Sequence, residues 1–309
     1  MKVLNYGSLN IDHVYQVDQI VQPGQTIDSY GVNVFPGGKG MNQSIAIARA
    51  GCRVYHAGNI GADGQFMKEL LEEAGADCTW LRTVDVGTGS TFIQVDSNGQ
   101  NCIVLNGGAN RANSKEYVDE VLANFGEGDL VLLQNEINEV GYIIDKAYEK
   151  GMIIVVNPSP MNEKILACDL KKVSMLLMKE DEGMAITGKQ EPAEILAAMT
   201  EMYPEAQTVL TLGSKGSVYQ GKGRTIEQKA FRVKLWTPPP PVTPLPAISW
   251  PLWPAVRIWQ SAWRKAPRLP PLPLPVRAQQ PPFLFWPRFR QRSCNSRICS
   301  GRPMHRPPC

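Results

Sequence analysis

Short, continuously apolar runs recur along the first three quarters of the chain: VLNYG at 3–7, VYHAG at 54–58, DLVLLQ at 129–134, MIIVVN at 152–157, SMLLM at 174–178 and QTVLTL at 207–212. Each has the length of a strand. None alternates polar with apolar, which marks strands covered on both faces, as in a parallel sheet sandwiched between helices. Helical spacing fills several of the intervals. Met41 to Ala50 places Ile45, Ile47, Ala48 and Ala50 on apolar positions, Gln65 to Ala74 runs up to Gly75, and further helices are predicted near 138–150 and 192–202. The pattern predicts an α/β fold with a doubly wound, mainly parallel sheet flanked by helices.

Two segments depart from it. STFIQVDSNGQNCIVLN at 90–106 has two β-rich arms around Asn98-Gly99, a strong hairpin signal. Residues 14–35 are also β-branched and rich in turns. Together they predict a small sheet outside the main one, placed here at about 12–35 and 90–107, either a lid or a purely structural hairpin.

Composition divides the chain. Residues 235–309 hold 19 of the 25 prolines, 6 of the 7 tryptophans, 11 of the 32 basic residues and none of the 29 acidic ones. The preceding part carries 21 basic against 29 acidic residues, a net −8, so the whole-chain +3 describes neither part. A mildly acidic body gives no electrostatic case for nucleic acid. No run of about 18 apolar residues is present, so no membrane span is expected. The start MKVLNYGSLNID lacks a basic stretch followed by an apolar one, so no signal peptide is expected. Cys52, Cys78, Cys102 and Cys168 show neither CxxC pairing nor metal-ligand spacing and read as reduced, mostly buried thiols of a cytoplasmic protein.

The sharpest local signal is Pro36-Gly-Gly-Lys-Gly-Met-Asn-Gln-Ser44 leading into an apolar helix. It lacks the GxxxxGK[ST] spacing of a P-loop. Its glycines allow close backbone approach, while Lys39 and Asn42 supply donors at a helix start; on residues alone it also reads as an ordinary turn. With GSLNID at 7–12, NGGAN at 106–110, QNE at 134–136, NPSP at 157–160, the acidic 180–182 before ITG, and TLGSKG at 211–216, the chain resembles the ribokinase-like, PfkB-type carbohydrate kinases, in the family's order over residues 1–233.

That resemblance implies ATP-dependent phosphorylation of a primary hydroxyl of a small sugar, with Mg²⁺ and a monovalent cation (K⁺). The match around Lys39 points to D-ribose and ribose 5-phosphate, with other pentoses, deoxyribose and fructose left open. It implies sugar contacts at Asn10, Asp12, Gly38, Lys39, Asn42 and Glu136, where amides and carboxylates suit paired hydroxyls. It implies nucleotide contacts at Lys179, Thr211, Leu212, Gly213, Ser214, Lys215 and Gly216, and a metal-organising acid at Glu182. It also leaves open a homodimer through the lid. Lys179 occupies the position of the family motif's Asn, and a lysine cannot accept a hydrogen bond and competes with a cation.

One family element is missing. The Gly-Asp turn that supplies the base and the anion-holding helix start is expected after the strand ending at 231–233, and no Gly-Asp pair occurs beyond residue 233. Reading the third base of each codon with the first two of the next restores it. Trp236-Thr237 forces Asp, and the following codons permit Thr-Thr-Ala-Ala-Gly-Asp-Thr-Phe-Thr-Gly. The same frame from Pro275 to Phe285 permits Arg-Pro-Gly-Ala-Ala-Ala-Ser-Ile-Pro-Phe, similar to the family's C-terminal loop. Residues 234–309 are therefore expected to be an out-of-frame, disordered tail. The competing reading is a selected polyproline ligand at PRLPPLPLPVR, 267–277, for an SH3-type partner. Sequencing the locus across codons 230–245 is expected to reveal one lost nucleotide near codon 234; a locus whose second frame lacks the GAC-bearing motif rules this out.

Overall fold

The structure, a computed structural model, describes residues 1–230. The expected strand end at 231–233 and the tail at 234–309 lie outside the described residues. Thirteen strands are described. The first seven are β1 (Val3–Tyr6), β2 (Asn10–Gln16), β3 (Gly31–Gly37), β4 (Val54–Ile60), β5 (Asp77–Thr83), β6 (Gly89–Val95) and β7 (Asn101–Asn106). The remainder are β8 (Leu130–Gln134), β9 (Ile153–Asn157), β10 (Met175–Lys179), β11 (Gln207–Thr211), β12 (Ser217–Gly221) and β13 (Arg224–Gln228). Seven α-helices accompany them: α1 (Lys39–Arg49), α2 (Gln65–Glu73), α3 (Lys115–Leu122), α4 (Val140–Glu149), α5 (Glu163–Leu166), α6 (Glu180–Thr187) and α7 (Pro192–Met202).

Nine strands form one sheet in the order β13-β12-β11-β10-β9-β8-β1-β4-β5. Pairing is parallel from β5 through to β11, and β12 and β13 close the edge antiparallel. The order reverses beside β1, the kind of switch point at which open α/β sheets bind ligands. All six apolar runs became strands of this sheet. β1 shows why they had to be continuous: Val3 packs with Met41, Met67 and Leu71 on the α1–α2 side, while Leu4 and Tyr6 pack with Val118, Leu122, Ile143 and Ile144 on the α3–α4 side.

The two exceptional segments pair as anticipated into a separate four-stranded sheet, β3-β2-β6-β7. β6 and β7 form the hairpin, with Gly99 at φ +77° in its turn. Register places Asp12 beside Phe35 and Thr91, and Thr91 beside Leu105, on one face. His13, Val34, Phe92 and Val104 share the other, where the His13 and Phe92 rings stack at 5.2 Å.

The thiols correct one expectation. Of these four, Cys78 alone is buried; Cys52 and Cys168 are half-buried, and Cys102 is exposed on β7, an edge strand of the small sheet whose described residues are all exposed. The acidic segment 180–182 forms the first turn of α6. Among the described residues no helix is long and apolar enough to cross a membrane.

Leu133 is fully buried in β8, between β1 and β9. Leu133→Ala is expected to cost about 2–5 kcal/mol, read as a lower denaturation midpoint at unchanged slope.

Candidate functional site

The Gly-rich segment begins where β3 ends. Gly38 sits at φ +92°, and a Cβ there would meet the Ser8 carbonyl at 2.8 Å and the Asn10 amide nitrogen at 2.9 Å. At Gly40 a Cβ would lie 2.3 Å from the Ser8 nitrogen. Glycine is needed at both positions to lay the start of α1 against the 7–10 segment.

This closeness brings Glu136 to the N-terminus of α1. Its Oε2 accepts the Lys39 backbone N–H at 2.9 Å and the Ser8 hydroxyl, and its Oε1 faces the Lys39 ammonium at 2.5 Å. The Ser8 hydroxyl oxygen in turn accepts from the Gly40 N–H at 3.2 Å. The Glu136 side chain is 7% exposed and that of Lys39 35%, so the pair opens to solvent from the lysine side. Such a carboxylate satisfies orphan helix N–H groups and the helix dipole together. A ligand hydroxyl approaching from the open side competes with Lys39 Nζ for Oε1.

Asn10 and Asp12 start β2, two residues apart and hence on one face. Asp12 Oδ1 accepts from Thr91 Oγ1 at 2.6 Å, and Asn10 Oδ1 accepts from Asn110 Nδ2 at 2.7 Å. Burial pushes the Asp12 carboxyl above the usual aspartate range; the Thr91 hydroxyl opposes that, Glu136 adds to it, and Lys39 and His13 oppose it. Asn42, one turn into α1, is exposed. Asn10, Asp12, Gly38, Lys39, Asn42 and Glu136 thus come from the start of the lid, the first turn of α1 and the segment after β8. Ser8, Thr91 and Asn110 were not singled out from the sequence. Each lies in a quoted motif or predicted hairpin arm, but as a small polar residue with no signal of its own.

A second group gathers at the ends of β10 and β11. Thr211 Oγ1 donates to the Met178 carbonyl at 3.2 Å, and Leu212 leads into a single 3₁₀ turn, Gly213–Lys215, before Gly216. Ser214 and Lys215 are exposed on that turn, which joins β11 to β12. Gly213 and Gly216 have φ of +56° and +110°, and a Cβ on Gly216 would lie 2.0 Å from the Gln228 carbonyl. Glu182 is buried, and its carboxylate accepts the Lys179 backbone N–H at 2.8 Å, closing the first turn of α6. Among the described residues there is no cluster of three or more His, Cys, Asp or Glu side chains able to hold a metal ion. With a lysine at 179 and Glu182 engaged on its own helix, these residues do not fit a protein-held Mg²⁺.

Fold and site together define a doubly wound α/β protein with a β lid beside a group of polar side chains at the strand ends. Comparison with known proteins then places it. Residues 1–236 match the pfkB family carbohydrate kinases, and the chain belongs to that family. The ribokinase of Haemophilus influenzae is 34% identical over 238 residues, covering 74% of this chain and 77% of that one. Among solved structures, the ribokinase of Cryptococcus neoformans var. grubii in complex with ADP is 32% identical at a TM-score of 0.64, covering 75% of this chain and 80% of that one. The Arabidopsis thaliana ribokinase complexed with ribose and ATP is 26% identical at a TM-score of 0.63, covering 74% and 77%. The family match stops two residues past Lys234, at the composition break.

Glu136→Ala leaves the Lys39 ammonium, its N–H and the Ser8 hydroxyl without their acceptor. It is expected to cost about 3 kcal/mol, the low end for breaking a buried pair because Lys39 is partly solvated, measured by chemical denaturation.

Proposed function

We propose that this chain descends from an ATP-dependent D-ribose kinase, retains the sugar-reading half of the site and, as written, performs no phosphoryl transfer. The observation that supports it best is the cluster of polar side chains: Asn10, Asp12, Lys39 and Glu136 are brought together beside a lid, in a family of carbohydrate kinases. The ribose and ATP of the Arabidopsis complex support ribose as sugar and ATP as phosphoryl donor. In this reading Asp12 and Glu136 accept hydrogen bonds from sugar hydroxyls, while Asn42 and Lys39 donate from the start of α1. The 211–216 turn and Lys179 receive the nucleotide. The transferring step needs a base for the sugar hydroxyl and an anion cradle, and the family's Gly-Asp motif for both is absent after Val233.

An out-of-frame ending also leaves the sheet short of its native cover. Each large apolar side chain so uncovered forfeits roughly 1.5–3 kcal/mol, against a typical total stability of about 5–15 kcal/mol. Low solubility is the consequence. The lid face away from Asp12 exposes Val34, Phe92 and Val104 in one row, which supports a homodimer through the lid. We place the protein in the cytoplasm, where its unpaired thiols stay reduced.

Calorimetry on the purified 309-residue chain is expected to detect D-ribose binding, with no ribose-dependent ADP release from ATP. Measured ADP release overturns the loss of transfer, and absence of ribose binding overturns the retained sugar site. The raised Asp12 sets the pH dependence. Ribose affinity falls with pH, beginning above the ordinary aspartate range, because the ionised carboxylate is the acceptor. Fold stability moves the other way there: between the ordinary and the raised value the folded chain binds the extra proton, so acidification stabilises it. Asp12→Asn is expected to remove both trends.

A further inference from the structure

Asn110 is 1% exposed and sits in the 3₁₀ turn Gly108–Arg111, which follows the last lid strand. Its Oδ1 accepts the Leu9 N–H at 3.0 Å, and its Nδ2 donates to the Leu9 carbonyl at 3.0 Å. A backbone N–H only donates and a backbone carbonyl only accepts, so these two bonds fix which end of the Asn110 amide is which. The second hydrogen of the same Nδ2 goes to Asn10 at 2.7 Å and can be received only by an acceptor. Asn10 therefore turns Oδ1 toward Asn110, and its own NH₂ is left as a free donor, making no hydrogen bond among the described residues. Asp12 lies two residues on, its Oδ1 occupied by Thr91 and its Oδ2 without a hydrogen-bond partner among the described residues.

The arrangement also requires Gly89. A Cβ there would lie 2.1 Å from Asn110 Nδ2 and 2.4 Å from Asn10 Oδ1. Asn10 and Gly89 are directly paired where β2 and β6 leave the core. Asn110 is thus bonded at the root of the lid, and its own turn is held from the core side, where its carbonyl accepts the Asn138 N–H at 3.3 Å.

We infer that Asn110 is a positioning residue that sets the polarity of the ligand cleft: through Asn10 it makes the cleft present a donor beside the Asp12 acceptor, a pair that fits a hydroxyl-bearing carbon of a polyol. A hydroxyl accepts from the Asn10 amide and donates to Asp12, or two neighbouring hydroxyls divide the roles. The inference deepens the sugar-binding reading and rests on Asn10 and Asp12 facing the ligand.

The test uses the full chain with D-ribose as probe, and the variants Asn110→Asp, Asn10→Ala, their combination, and Asn10→Asp. Asn110→Asp keeps the acceptor for the Leu9 N–H but loses the donor, so the Asn10 amide reverses, and ribose affinity is expected to fall at least tenfold. In the Asn10→Ala background the same change is expected to add less than a twofold loss, since it acts only through Asn10; a further tenfold loss overturns the inference. Asn10→Asp covers the case in which Asn110→Asp prevents folding. The carboxylate introduced by Asn10→Asp still accepts from Asn110 but offers the ligand no donor, so affinity falls at least tenfold, and unchanged affinity overturns the inference. Wild-type chain that binds no ribose defeats the sugar reading alone. Scalar coupling across the Asn10–Asn110 hydrogen bond, read by NMR, then decides the inference without ligand: coupling from the Asn110 side-chain nitrogen to the Asn10 side-chain carbonyl carbon supports it, and coupling from the Asn10 side-chain nitrogen to the Asn110 side-chain carbonyl carbon overturns it.

Discussion

A buried carboxylate at the start of one helix holds the cleft together. Glu136 lies just beyond β8, and through its two oxygens it takes the first N–H of α1, the Ser8 hydroxyl and the Lys39 ammonium. A carboxylate so enclosed needs donors, and the free N–H groups of a helix start need acceptors; each supplies what the other lacks. Three segments distant in sequence are thereby fixed at one point. The glycines at 38 and 40 are dictated by this, because any side chain there would push α1 off the Ser8 backbone and take Lys39 away from Glu136. The constraint is reciprocal: the turn needs the carboxylate for its charge and the carboxylate needs the turn for its closeness.

Beneath that point, α1 is tied to the sheet by a second layer of polar groups. Asn5 Nδ2 donates to the Gly40 carbonyl and to Ser44 Oγ, both at 2.7 Å, and Ser44 Oγ pairs with His56 Nδ1 at 2.7 Å. Gln134 Nε2 reaches Asn5 Oδ1 and Gln43 Oε1. These side chains come from β1, β4, β8 and α1 and are almost wholly excluded from water. Complete burial holds His56 down to about 4, so near neutral pH it is an uncharged hydrogen-bonding group. Directional bonds of this kind select one placement of α1, whereas apolar packing tolerates small slides. The position of Lys39 is therefore set from above by Glu136 and from below by Asn5.

Much of this was legible in the residues. Continuous apolar runs announced strands covered on both sides, and Asn98-Gly99 announced the lid hairpin, because both signals are local and the fold agrees with them. β5, β12, β13 and α3 carried weaker periodicity: β13, at the edge of the sheet among the described residues, has little apolar content, and α3 is short. The residues assigned to the ligand came from ordered motifs, since an isolated Asp12 or Glu136 reads equally as a turn acid or a strand end. What stayed hidden were the second partners. Nothing in the residue type of Asn110 or Ser8 says that it will meet Leu9 or Glu136 across about a hundred residues or more; only the folded topology creates those pairs. The thiols misled for a related reason. Cysteine is buried on average, but Cys102 falls on β7, an edge strand of the small sheet whose residues are exposed throughout.

The two halves of the cleft depend very differently on the chain beyond residue 230. The groups that hold Asn10, Asp12, Lys39 and Glu136 all lie between Ser8 and Glu136, on segments packed into both faces of the large sheet. The 211–216 turn rests instead on the chain immediately before the composition break. Gly216 lies so close to Gln228, Lys229 and Ala230 that no side chain fits between them. The Ser8–Glu136 group lies further off, at the ends of β1 and β8, with β9 and β10 between it and β11. Local stability in such a fold need not be uniform, because segments open in units set by their own contacts. On the roles proposed above, the 211–216 turn is the part of the site in direct contact with the last described residues, so a loss of transfer does not require a loss of sugar recognition.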